Sequence, residues 1–185
     1  MVSLSALWMP IVLSAIFVFI ASSIMHMFLP YHRGDYRKLP EEEKTLAALR
    51  ELGLTRGLYI FPFSSHKEMK SPAMVEKYKQ GPVGMMTILP TGPVAMPKFL
   101  AQWFGYCLLI GIFVAYLTGH TISSGATYPA VFRVAGTAAF MAYGLGLLSN
   151  GIWRGHTWSM TIKEVIDGLV YGLLTAGTFG WLWPR

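Results

Sequence analysis

From Leu4 to Leu29 the chain runs for 26 residues without a formal charge. A helix needs about 20 apolar residues to cross a hydrocarbon core of about 30 Å, so this run is long enough to span with tilt. It lacks a basic leading region and its apolar part is too long for a secretory signal, so it reads as an uncleaved anchor. Two further apolar runs, Phe99–Leu117 and Val131–Ile152, follow in the second half of the chain, and a fourth covers 162–183. Charged residues make up 13% of the chain, about half the share usual in a soluble domain, and they are not spread evenly. The stretch Tyr31–Lys98 holds 11 of the 15 Lys and Arg and 7 of the 9 Asp and Glu.

These patterns predict a mainly α integral membrane protein. It has four transmembrane helices and a small α+β cytoplasmic lobe between the first and the second. Residues 1–30 form helix 1, 31–97 the polar lobe, and 98–185 a three-helix membrane region with helices at about 99–117, 131–152 and 162–183. In the lobe, Pro40 with Glu41–Glu43 reads as a helix start that puts acids on the positive end of the dipole. Leu58–Phe61 and Val83–Leu89 read as short strands, and Ser71-Pro72 opens a second short helix. About 60 residues make a marginal core, so the lobe is expected to lean on the membrane or on a partner. Thr161 and Glu164 match a capping box and are expected to open helix 4.

Orientation follows from the basic residues. The lobe side carries its 11 plus Arg154 and Lys163, against Arg133 and Arg185 on the other side. The positive-inside rule places residues 31–97 in the cytoplasm and both termini outside. The net charge of +6 fits contact between the lobe and anionic lipid head groups better than nucleic-acid binding, because no basic-aromatic fold signature accompanies the charges.

Within the spans, Gly168, Gly172, Ala176 and Gly180 recur at every fourth position and so share one helix face. Ala135, Ala139, Ala142 and Gly146 offer a small stripe on helix 3. Either the two stripes pack into a tight hairpin or one of them docks another subunit. Gln102, Tyr106, Leu109, Phe113, Tyr116 and His120 form a face of helix 2 that reads as its bundle-facing seam. Asp167 is the one acid set about a turn inside helix 4, with Tyr171 and Thr175 continuing its polar face. A membrane-embedded acid marks a transport path or an interfacial ion pair, here with Arg154, His156 or Lys163 in reach. His26, His120 and His156 are the candidate ligands for haem, pigment or copper, but no HxxxH or CxxC spacing supports them and no metal site is predicted. Lone Cys107 excludes a disulfide framework. No GxSxG, Walker A, GxGxxG or HExxH sequence is present, so no catalytic residue is assigned.

The run Phe28-Leu29-Pro30-Tyr31-His32-Arg33, then Asp35-Tyr36 and Leu39-Pro40, resembles a family of small bacterial membrane proteins. Gly81-Pro82-Val83-Gly84 and the ending from Tyr171-Gly172 to Trp183-Pro184 share in the resemblance. It implies four spans in a bacterial inner membrane and carries no activity, so no site residue transfers from it. The favoured expectation is a non-catalytic accessory or scaffold subunit of a larger membrane complex. The alternatives are a small-solute or ion carrier acting as an oligomer, and a protein binding metal, haem or pigment through histidine.

Overall fold

A computed structural model describes residues 1–185. The chain divides into two compact units, Met1–Asp35 with Ala95–Arg185, and Tyr36–Val94. The first is a ring of helices. Helix α1 (Trp8–Ser23) is preceded by a tight turn at Leu4–Leu7 and followed by a widened turn at Ile24–Phe28. Helix α4 (Met96–Thr121) packs against α1, and α5 (Tyr128–Tyr143) packs against α4. After a break at Leu145–Leu147, α6 (Leu148–Trp153) leads to α7 (Trp158–Trp181), which packs against α5 and α1 and closes the ring.

Three stretches are long and apolar enough to cross a membrane: Leu4–Phe28, Met96–Thr121 and Tyr128–Trp153. Helix α7 is of similar length, but Lys163, Glu164 and Asp167 interrupt its first half. Glycine lets the helices approach. A Cβ on Gly111 would lie 3.3 Å from the Ile11 carbonyl oxygen, and one on Gly119 would lie 2.6 Å from that of Val2. At the same end, Val2 N–H donates to the Gly119 carbonyl at 2.8 Å. There too the Trp183 indole donates to the Ser123 carbonyl at 2.9 Å. The buried face of α4 is Cys107, Ile110, Gly111, Val114, Ala115 and Thr118. The stripe expected as its seam points outward instead: Tyr106, Leu109, Phe113, Tyr116 and His120 are all exposed. Part of it lines an apolar groove of about 600 Å³ with Ala138, Met141 and Ala142. Small residues line the face that turns in: Gly111 admits the Ile11 backbone of α1, Gly119 admits the Val2 backbone, and Ala115 between them is fully buried.

Between α5 and α7 the glycine face of α7 meets backbone at Gly168 and Gly172 and a side chain at Gly180. A Cβ on Gly172 would lie 3.1 Å from Phe140 Cβ, and one on Gly180 would lie 2.7 Å from the Tyr128 ring. Gly136 faces Ala176, and Gly168 lies directly against Gly144. The opposing α5 face is therefore Tyr128, Gly136, Phe140 and Gly144. Ala135 and Ala139 are fully buried, whereas Ala142 and Gly146 are exposed. The stripe predicted for helix 3 departs from the helix face that packs on α7.

The second unit holds α2 (Glu42–Glu51), β1 (Gly57–Phe61), α3 (Pro72–Gln80) and β2 (Gly84–Ile88). The strands pair antiparallel, Gly57 opposite Ile88 and Phe61 opposite Gly84. The Ser71 hydroxyl caps α3 by accepting from Met74 N–H at 3.3 Å, and Met74 is buried. Helix α2 starts at Glu42 rather than at Pro40, because Glu41 sits in the left-handed region at φ 44°. Tyr31–Asp35, expected in the lobe, belong to the helical unit.

Candidate functional site

Pro30 has no N–H to extend a helix, and the chain turns there. Just before it, Leu29 N–H reaches back five residues to the Ile24 carbonyl at 3.2 Å, which widens the last turn. Just after it, Pro30–His32 form a tight turn, and Asp35 N–H donates to the His32 carbonyl at 3.1 Å. Together these two turns bring His26 and His32 side by side. Their rings stack with centroids 4.4 Å apart and planes within 10°.

Both rings face Asp167 on α7. His32 Nε2 is 2.8 Å from Asp167 Oδ2, and His26 Nε2 is 3.8 Å from the same oxygen. The opposite edge of each ring is already engaged. His26 Nδ1 donates to the Ser22 carbonyl at 3.1 Å, and His32 Nδ1 pairs with Asp35 Oδ2 at 2.6 Å. Asp35 is held in turn by Lys163, whose Nζ donates to Oδ1 at 2.6 Å. Lys163 also lies 5.4 Å from the centre of the Tyr31 ring, which meets the His32 ring edge to face. Side-chain exposure is 4% for Asp167, 5% for Asp35 and 13% for His32, but 52% for His26, so the cluster opens at His26.

The Lys163 hydrogen bond holds the Asp35 carboxyl below its ordinary pKa, against burial, with His32 adding to the effect. Burial raises the Tyr31 hydroxyl, and Asp167 adds to that. The cluster sets two carboxylates, Asp35 and Asp167, against one ammonium, Lys163, with the imidazoles between them, a donor set that suits a cation. Beneath it, Trp103, Tyr143 and Tyr171 pack within 6.5 Å of one another, ring centre to ring centre. Trp103 is tied to α1 by its indole N–H, 2.8 Å from Ser22 Oγ. Three buried oxygens, Glu164 Oε2, Asp167 Oδ1 and the Tyr171 hydroxyl, have no protein partner. Their spacing of three and then four residues sets them on one face of α7.

Of the residues singled out in the sequence, His26, Asp167 and Tyr171 come together here. Thr175 is buried, but its hydroxyl donates to the Tyr171 carbonyl at 2.8 Å, so the free polar face ends at Tyr171. His120 lies exposed on the last turn of α4, with Nδ1 2.7 Å from the Tyr116 carbonyl oxygen. His156 sits in the α6–α7 connection, its Nδ1 buried without a partner. Neither joins the cluster. The partner of Asp167 is His32, not Arg154, His156 or Lys163. His32 and Asp35 were the residues that spacing could not find; the signal available was a polar turn placed at the same end of the bundle as Asp167. No family model, curated protein or solved structure matches this chain.

Proposed function

We propose that this is a four-span inner-membrane protein that binds a small cation at the His26–His32–Asp167 cluster and carries it along the α7 face. In this reading α7 is the fourth span, the cluster lies at its cytoplasmic end, and both termini are outside. The observation that carries it is a buried carboxylate on α7, met by two imidazoles and continued along the helix by the unpartnered Tyr171 hydroxyl. Ionisable groups in such a position are expensive and mark ion paths. Four spans are few for a carrier, so the working form is an oligomer. Full-length protein reconstituted in liposomes with proton- and metal-sensitive dyes tests this. Asp167→Asn keeps the side-chain shape and is expected to reduce cation flux at least about tenfold; unchanged flux contradicts the proposal. The accessory-subunit reading has one observation in its favour, the outward aromatic stripe of α4. Protein that shows no flux of its own, but leaves native membranes in mild detergent within a larger particle, supports that reading instead.

A further inference from the structure

We infer that the cation is a divalent transition-metal ion of the zinc type, bound by His26 Nε2, His32 Nε2 and the Asp167 carboxylate. This rests on reading the cluster as a cation site. The donor set selects the ion. Magnesium and calcium take oxygen ligands, whereas two imidazoles and one carboxylate suit zinc, iron, cobalt and nickel.

The distances fit. Two ligand atoms each about 2.1 Å from a tetrahedral centre lie about 3.4 Å apart. The two imidazole-to-carboxylate distances, 2.8 and 3.8 Å, fall on either side of that value. All three donor atoms lie within 4.8 Å of one another, and the two stacked rings must turn out of parallel for both Nε2 atoms to meet one ion.

The rings are also prepared for the task. A carbonyl oxygen can only accept, so the Ser22 contact fixes the proton of His26 on Nδ1 and leaves Nε2 with its lone pair. His32 faces a carboxylate at each nitrogen, and Asp35 keeps its Nδ1 proton in place when a metal replaces the Nε2 proton that Asp167 now accepts. Metal-bound histidines regularly give their other nitrogen to a carbonyl or a carboxylate in this way, which orients the ring and raises its basicity. Lys163 then holds Asp35, so the support reaches into a second layer. Half-exposed His26 supplies the way in, and the unpartnered Asp167 Oδ1 is free to add to the coordination. Three protein ligands leave at least one position open, as in sites that exchange a ligand rather than in closed structural ones.

The test uses full-length protein in detergent, stripped with a chelator and titrated with Co²⁺, followed by its visible absorption, and with Zn²⁺ by calorimetry. One ion per chain is expected, held at micromolar concentration or tighter and not displaced by Mg²⁺. His26→Gln, His32→Gln and Asp167→Asn each weaken binding at least about 10-fold, and Asp35→Asn, which touches no metal, weakens it about 10- to 100-fold. His120→Gln, on the far end of α4, leaves it unchanged. Because His26 is half exposed, His26→Gln leaves the fold intact, and unchanged helical circular dichroism verifies this. Absence of saturable binding, or equal binding by wild type and His26→Gln, overturns the metal assignment. If Asp167→Asn still abolishes flux in that case, the carrier reading survives with another cation. Metal binding with flux unaffected by Asp167→Asn supports the metal site and overturns the carrier.

Discussion

Gly168→Ala is expected to force α5 and α7 apart. The added Cβ would lie 2.6 Å from Gly144 N and 2.8 Å from the Tyr143 carbonyl carbon, closer than any real Cβ contact. Those atoms are backbone, so no side-chain rotation relieves the clash and the helices must separate. Overpacking a core ordinarily costs about 1–3 kcal/mol, and a clash with backbone belongs at or above the top of that range. Separation also shifts Asp167, the neighbouring residue, away from His32. Gly146→Ala is the control, because its Cβ would meet nothing within 4 Å; its effect should stay within about 0.5 kcal/mol. Thermal melts in detergent decide the matter: equal stability of the two variants would contradict the α5–α7 register described above.

Lys163→Met carries the second large effect. It leaves the Asp35 carboxylate, 5% exposed, with His32 as its one remaining charged or polar partner. Removing one member of a buried ion pair costs about 3–5 kcal/mol, and the 21% exposure of Lys163 puts this case at the lower end. By contrast, Lys44→Met breaks a solvent-exposed pair with Glu41 and should cost no more than about 1 kcal/mol. Asp35 has a folded-state pKa below its unfolded one. The contribution of the pair is therefore complete above the unfolded value and is lost as pH falls through the folded value. Acidification through that range should erase the difference between Lys163→Met and wild type. A Lys163→Met variant as stable as Lys44→Met at neutral pH would mean that Asp35 is not buried against α7.

Much of the helical frame was legible because span length and charge exclusion are local properties. Three of the four apolar runs became helices long and apolar enough to cross a membrane, and both lobe strands fell within a residue or two of their expected bounds. Glycine at every fourth position pointed to the packing face of α7, since only glycine admits a backbone so close. Helix α7 starts one turn before the expected capping box. Thr157 caps the helix by accepting from Met160 N–H at 3.2 Å, one turn ahead of the Thr161–Glu164 pattern. Thr161 is buried inside the helix, where its N–H donates to the Thr157 carbonyl at 2.9 Å. The face of α5 was misread because Gly144, not Gly146, is the residue pressed against α7.

The site was less legible, for a different reason. His32 and Asp167 are 135 residues apart, so no spacing rule connects them. Asp167 stood out alone because a membrane acid needs a partner, but the basic residues nearest to it in sequence were not the ones that met it. Lys163, one turn away on α7, is used by Asp35 instead. What decides the pairing is the turn after Pro30, which folds His32 back toward α7.

The contact between His32 and Asp167 underlies the site and both proposals made for it, cation carriage and metal binding. A double-mutant cycle of His32→Gln and Asp167→Asn, read as thermal stability in detergent, measures it most directly. Residues in one hydrogen-bonded network couple by about 0.5–3 kcal/mol, and a bond to a buried carboxylate belongs in the upper half of that range. A coupling of that size is the expected result. Effects that add to within about 0.3 kcal/mol would show that the two side chains do not meet.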